Sequence, residues 1–305
     1  MDKHFYSPGK LLLSGEYLVL DGAKALAVPT KFGQHLTISK TNLSHFSWIS
    51  RTNTDKIWFE AEFKIENNSI QLKNLVTGEK SIADRLLKIL QEIEKLQPDF
   101  LQNGIKLETK LEFPQHWGLG SSSTLIANLA EWAKIDPYKL LKQTFGGSGY
   151  DIACAQHKTP LLFELKDEKP LVKEVNFSPE FSSELFFVHL NKKQNSRDSI
   201  QHYRKQSLTD KKEYVKKVSL LTEEILASKT LSEFENLLKT HEQLLSKILN
   251  TPTIQEQLFT DYNRQLKSLG GWGGDFILAT GGKKEQTYFQ EKGFSTILSW
   301  EEMVL

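Results

Sequence analysis

The chain has 305 residues, 39% of them hydrophobic and 25% charged, enough to build a sizeable core and too apolar for a disordered chain. Thirty-nine Lys and Arg against 38 Asp and Glu leave a formal net charge of +1, which argues against a general nucleic-acid coat or a polybasic membrane binder. Cys154 is the only cysteine, so neither an intrachain disulfide nor a cysteine-rich zinc site forms. No apolar run approaches a membrane span, and Pro8, Gly9, Gly15 and Glu16 interrupt the N-terminal apolar stretch, so the expectation is a soluble cytoplasmic protein.

The length predicts about two domains. Ile57, Phe59, Ala61, Phe63 and Ile65 alternate with polar residues and Trp58, and Ile105, Leu107, Thr109, Leu111 and Phe113 alternate with charged ones. That period of two predicts half-buried strands. Between them, Ile82, Leu86, Leu87, Leu90 and Ile93 follow helical spacing, and Asn103-Gly104 marks a turn. Lys166 to Pro170 reads as an exposed turn, with a domain boundary expected at 165–185. Leu185–Leu190 reads as an apolar strand. Thr209 to Lys267 reads as helical, broken near Ser228–Thr230 and at Thr251-Pro252. Phe276–Thr280 reads as a strand and Ser295–Leu298 as a short apolar run.

Three glycine-rich segments carry the chemistry. Pro114 to Thr124 contains Gly118-Leu119-Gly120-Ser121-Ser122-Ser123 and precedes Leu125, Ile126, Leu129, Ala130 and Ala133 at helical spacing. A loop entering a helix presents unpaired amides at the positive end of the helix dipole, and glycines let an anion approach the backbone. The competing reading is a glycine turn with an ordinary serine cap. A Walker A loop is excluded, because Gly-Lys-Ser/Thr occurs nowhere. A dinucleotide fingerprint fails as well, since Ser123 stands where its third glycine belongs.

The second segment, Gly146-Gly147-Ser148-Gly149-Tyr150-Asp151, delivers one carboxylate on a tight turn, suited to accept a hydroxyl proton or merely to cap a helix. In the third, Ser7-Pro8-Gly9-Lys10 leads an apolar strand to Gly15-Glu16. Lys10 is suited to stabilise charge on a transferred phosphoryl group, or is simply a solvated lysine beside a core strand.

In this order, the segments resemble the small-molecule kinases named for galactokinase, homoserine kinase, mevalonate kinase and phosphomevalonate kinase, the GHMP family. Gly270-Gly271-Trp272-Gly273-Gly274 resembles that family's third, glycine-rich motif, and the Gly-Tyr-Asp-Ile-Ala run from Gly149 to Ala153 is similar to a subgroup known by that string. The resemblance implies an α+β, two-domain GHMP kinase fold. Residues 1–178 would form a mixed α/β ATP-binding domain with a left-handed crossover, and 179–305 a ferredoxin-like domain. It implies ATP on Gly118, Leu119, Gly120, Ser121, Ser122 and Ser123, Mg²⁺ held with Ser121 or Ser122, and Asp151 and Lys10 as catalytic groups. Glu16, Ser148, Arg197, Gly271 and Gly273 would lie by a small-molecule acceptor, most like that of mevalonate or phosphomevalonate kinase. No nucleic-acid or membrane partner is implied, and the sequence leaves the oligomeric state open.

The chain also departs from the family pattern. No acidic residue occurs in Leu140–Phe145, where many members carry a Mg²⁺-binding glutamate. Glu131 lies nine residues beyond Ser122, roughly 13 Å down a helix. The alternative function is therefore a binding protein of the same fold that has lost catalysis. Asp275 reads as a turn residue before a strand, the segment Asn191–Arg197 as a polar loop, and Cys154 as a buried small residue. His116 and Trp117 either contact adenine or only space the loop.

Overall fold

The computed structural model describes residues 2–66, 69–194, 196–206 and 209–305. In chain order the elements are β1 (Lys3–Ser14), β2 (Ala25–Lys40), β3 (Phe46–Arg51), β4 (Ile57–Glu66), β5 (Ser69–Thr77), α1 (Lys80–Leu96), β6 (Ile105–Leu111), α2 (Ser121–Ala133), α3 (Pro137–Thr144), α4 (Tyr150–Gln156), β7 (Leu161–Lys166) and β8 (Lys169–Glu174). They continue with β9 (Leu185–His189), α5 (Ser196–Arg204), α6 (Lys211–Ala227), α7 (Leu231–Leu249), α8 (Ile254–Leu258), β10 (Leu266–Ser268), β11 (Phe276–Thr280), α9 (Lys283–Glu291), β12 (Ile297–Ser299) and α10 (Trp300–Met303). The chain is organised as two compact units. One comprises Met1–Gly9, Phe32–Gln115 and Gly120–Gln156; the other comprises Lys10–Lys31, His116–Leu119 and His157–Leu305.

In the first unit the strand order is β5-β4-β3-β6-β2, with β2 contributing Gln34–Lys40. β3 and β6 run parallel and the other neighbours antiparallel. The period of two sets the faces. Phe46 and Trp48, Phe59, Ala61 and Phe63, Leu107, and Leu36 and Ile38 all point into one core. Against them lie Leu86, Leu90 and Ile93 of α1, Ile126 and Leu129 of α2, Leu140 and Leu141 of α3, and Ile152 of α4. Each such side chain contributes roughly 1.5–3 kcal/mol when fully buried. Charged residues of these strands pair across them, Arg51 with Glu108 at 2.7 Å and Lys73 with Glu62 at 3.1 Å, and Lys110 pairs with Asp55 of the β3–β4 turn at 2.7 Å. These part-exposed pairs add little stability and serve mainly to keep the face solvated.

In the second unit, Ala25–Ala27 of β2 pair with β7, which forms a hairpin with β8. Asp167 and Glu168 make its turn, both with positive φ, at 51° and 60°. The expected exposed turn is present, and it joins two strands of one unit. A separate antiparallel sheet has the order β10-β11-β9-β12. β9 and β11 are buried at every position, which explains the apolar runs 185–188 and 276–279. Phe186, Val188, Ile277, Phe259 and Phe289 form one core, and Tyr17, Leu18, Tyr203, Leu245, Ile248 and Trp272 another.

Two boundaries differ from expectation. The helical stretch beginning near Thr209 resolves into α6, α7 and α8 with breaks at the expected places, but it stops at Leu258 and Lys267 lies in β10. Lysine is compatible with either period, and its burial between two carboxylates is a long-range event. The polar stretch from Asn191 turns into α5 at Ser196, so Arg197 is helical; Asn195 lies outside the described residues.

Candidate active site

Lys10 and residues 116–119 belong to the second unit. Lys10 lies on β1, its amide bonded to the Leu119 carbonyl at 3.0 Å and its ammonium donating to the Gly118 carbonyl at 3.0 Å. Gly118 has φ 68°, a left-handed conformation natural to glycine. A Cβ there would fall 2.3 Å from Cγ of Asp275. Asp275 is only 9% exposed, so the expectation of a plain turn residue needs correcting: its carboxylate stands behind the loop and accepts the Gln194 amide at 3.0 Å. Burial raises its pKa, opposed by that amide and by the charge of Lys10.

His189 steadies the preceding residues. Its Nδ1 accepts the Asn191 amide, which leaves Nε2–H to donate to the His116 carbonyl at 3.2 Å. Burial lowers its pKa, in keeping with a neutral ring. Trp117 is packed edge-on against Phe276, with ring centroids 5.3 Å apart. The loop entrance is thus held by protein groups on several sides.

Residues from Gly120 onward belong to the first unit, as far as Gln156. Gly120 takes φ 90° and α2 begins at once, with no side-chain cap. The amides of Ser121, Ser122 and Ser123 therefore have no acceptor within the helix. The three serines are not equivalent. Ser123 is buried and its hydroxyl donates to the Gly120 carbonyl at 2.8 Å. Ser121 is half-buried and Ser122 exposed. Thr124 bonds Gln34 Oε1 at 2.6 Å and Asn128 bonds the Gln34 carbonyl at 2.9 Å, fixing α2 on β2.

Asp151 occupies the first turn of α4, and α4 packs on α2 within this unit. Gly146, Gly147 and Gly149 all have positive φ, at 70°, 104° and 92°, the backbone that turns the chain into α4. Asp151 Oδ1 accepts the Ile152 amide at 3.0 Å, and Ser148 beside it is half-buried. Sequence reasoning passed over Tyr138 of α3. A Cβ on Gly149 would lie 3.0 Å from its ring, and its phenol pKa is raised by burial first and by the Asp151 charge second.

Glu16, Arg197, Gly271 and Gly273 belong to the second unit, and Cys154 to the first. Glu16 is 1% exposed and bonded to Lys267, which also meets Glu242 at 3.1 Å; all three are buried. Its expected contact with an acceptor gives way to this ion pair, because a buried carboxylate requires a cation. His241 Nε2 accepts the Gly15 amide at 3.1 Å, and burial holds its pKa well below 6.5, so its 3.6 Å approach to Glu16 is not an ion pair. Arg197 is exposed on α5. A Cβ on Gly271 would lie 2.7 Å from Gln194 Cγ, and Gly273 has φ 97°. Cys154 is fully buried, as expected. Among the described residues, no group of three or more His, Cys, Asp or Glu is arranged to hold a metal, and no helix is long and apolar enough to cross a membrane.

No family model matches the chain, and no curated protein matches it. Solved structures do. Mevalonate kinase from Methanococcus jannaschii is 17% identical with a TM-score of 0.69, over 98% of this chain and 97% of that one. Phosphomevalonate kinase from Streptococcus pneumoniae, in complex with phosphomevalonate and AMPPNP, is 14% identical with a TM-score of 0.69, over 97% and 99%. Galactokinase from Lactococcus lactis, complexed with galactose, is 14% identical with a TM-score of 0.69, over 98% and 93%. The chain has the mixed α/β fold of the GHMP kinases.

Proposed function

We propose that the protein is an ATP-dependent small-molecule kinase whose acceptor is most like that of mevalonate or phosphomevalonate kinase. The observation that carries this reading is the start of α2. A left-handed Gly120 leads directly into an uncapped first turn, while Lys10 holds the carbonyl of Gly118 just before it. Unpaired amides and a helix dipole suit a polyphosphate, and the residues from Gly118 to Ser123 are assigned to it. We also assign residues 1–178 to an ATP-binding domain and 179–305 to a ferredoxin-like one. The chain order β9, helices, β10, β11, α9, β12 and the sheet order β10-β11-β9-β12 support the latter.

Each residue has a defined task. The amides of Ser121 and Ser122 bind phosphate oxygens, while Ser123 ties the helix start to Gly120. Lys10 stabilises negative charge beside Gly118. Asp151 orients the acceptor hydroxyl and takes its proton, its carboxylate held by the Ile152 amide. Ser148, Gly271 and Gly273 shape the acceptor's surroundings, and Arg197 offers a charged fork to an anionic acceptor. Glu16 acts from below, as the anchor of the turn that follows β1. The hydroxyls of Ser121 and Ser122 fit a phosphate-bound Mg²⁺, and since no acidic cluster occurs among the described residues, that ion would be carried by the nucleotide and its waters. Mg²⁺ would supply charge neutralisation on the phosphates.

The test is ADP release across a panel of hydroxylated and phosphorylated metabolites. Turnover is expected with at least one. Asp151→Asn should lower turnover about 10²–10⁴-fold with ATP affinity nearly unchanged. Unaltered turnover would remove Asp151 from its role. Tight ATP binding without turnover on any compound would favour the lapsed-kinase alternative, which the missing glutamate in Leu140–Phe145 motivates.

A further inference from the structure

We propose that Asp275 is the positioning residue of the phosphate loop, its carboxylate standing behind Gly118 and orienting the Lys10 ammonium on the Gly118 carbonyl. The inference rests on the kinase reading for its functional meaning, and on the second unit alone for its geometry.

Three observations converge on this residue. The space where a side chain at position 118 would stand is filled by the Asp275 carboxylate, with Cγ, Oδ2 and Oδ1 at 2.3, 2.4 and 2.7 Å from a Cβ built there. Gly118 and Asp275 are therefore complementary: the loop has no side chain because the carboxylate takes its place. Next, Asp275 is fixed at its own backbone. Its amide donates to the Lys192 carbonyl at 2.7 Å and its carbonyl accepts the Leu190 amide at 2.8 Å. The carboxylate thus has little freedom to leave. Finally, Lys10 is among the charges that stabilise its ionised form, together with Lys193. An anion placed behind a carbonyl that a lysine grips restrains that lysine from wandering over the loop.

A purely structural role makes a different demand. An acceptor for the Gln194 amide needs one oxygen and no charge, and Asp275 Oδ1 at 3.0 Å already meets it. Asparagine keeps that oxygen and loses the charge; alanine loses both. Asp275→Asn and Asp275→Ala separate the two roles.

The experiment compares both variants with the unmodified chain in three readouts: acylation of Lys10 by an amine-reactive ester, followed by peptide mass spectrometry; the melting temperature; and kcat and KM for ADP release. Asp275→Asn is expected to raise the Lys10 labelling rate about two- to fivefold, as for an ammonium released from one part-exposed counter-charge. It should lower kcat about 10- to 100-fold with little change in KM for the acceptor, and leave the melting temperature near that of the parent. Asp275→Ala should show the same labelling and also melt earlier. If Asp275→Asn labels Lys10 like the parent and only Asp275→Ala is affected, Asp275 is structural and the proposal is overturned. A parent protein inert with every acceptor counts against the kinase reading instead, while the labelling still decides whether Asp275 holds Lys10.

Discussion

Two lysines of one unit show how differently a fold houses the same charge. Lys267 is fully buried, bonded to Glu16 and 3.1 Å from Glu242, so its ammonium is spent on neutralising two carboxylates. Lys10 is half-buried, grips a backbone carbonyl at 3.0 Å and stands at a loop leading into an uncapped helix. Both belong to glycine-adjacent strands, and neither can be told from the other by residue type. What differs is enclosure. A cation buried with two carboxyl groups stabilises the fold around it, whereas one at a half-buried loop position is the one proposed to meet phosphate charge.

Substitutions sharpen that contrast. The largest effect is expected for Lys267→Met, which strands two buried carboxylates and should cost about 3–5 kcal/mol in chemical denaturation. Loss of turnover in proportion to the folded fraction fits a structural lysine; full stability would break the contrast. Next comes Lys10→Met, for which turnover should fall about 10²–10³-fold. Its stability cost should stay near roughly 1 kcal/mol, that of one hydrogen bond. A destabilisation as large as that of Lys267→Met would mean the two lysines do the same job.

A smaller and pH-dependent effect follows from Glu16. Burial pushes its carboxyl up to about 7 from an ordinary 4.5, against the pull of Lys267. The folded chain therefore holds a proton that the unfolded chain has released across that window, and the stability due to Glu16 falls as pH rises through it. The stability of the parent relative to Glu16→Gln should decline between pH 4.5 and about 7. A difference that stays constant, or grows with pH, would show that Lys267 keeps Glu16 ionised throughout. The smallest change sets the scale. Thr230 caps α7 in a reciprocal box with Glu233, and Thr230→Ala should cost about 1 kcal/mol without touching turnover.

Much of the fold was legible because periodicity is local. The strand at Ile57–Glu66, the helix around Leu86–Ile93 and the buried strand at Phe276–Thr280 all lie where spacing places them. The loop at Gly118–Ser123 was legible for the same reason, since its glycines and the helix behind it adjoin in sequence. Lys267 was not, because a lysine in a three-residue strand carries no period of its own. Asp275 was visible as an acid after a glycine run, yet only its packing behind Gly118, 157 positions earlier in the chain, distinguishes it from a solvated turn.

By itself, then, the sequence determined where the clearest strand and helix periods lie and which helix opens on glycine and serine. These depend on dihedral preference and side-chain period, properties of neighbouring residues. Tertiary structure alone decided that Glu16 belongs to Lys267, that Ser123 turns inward while Ser122 is exposed, and that Asp275 is enclosed behind the loop. Such pairings depend on which charges lose their water together, and desolvation is settled by residues that meet only after the chain has folded.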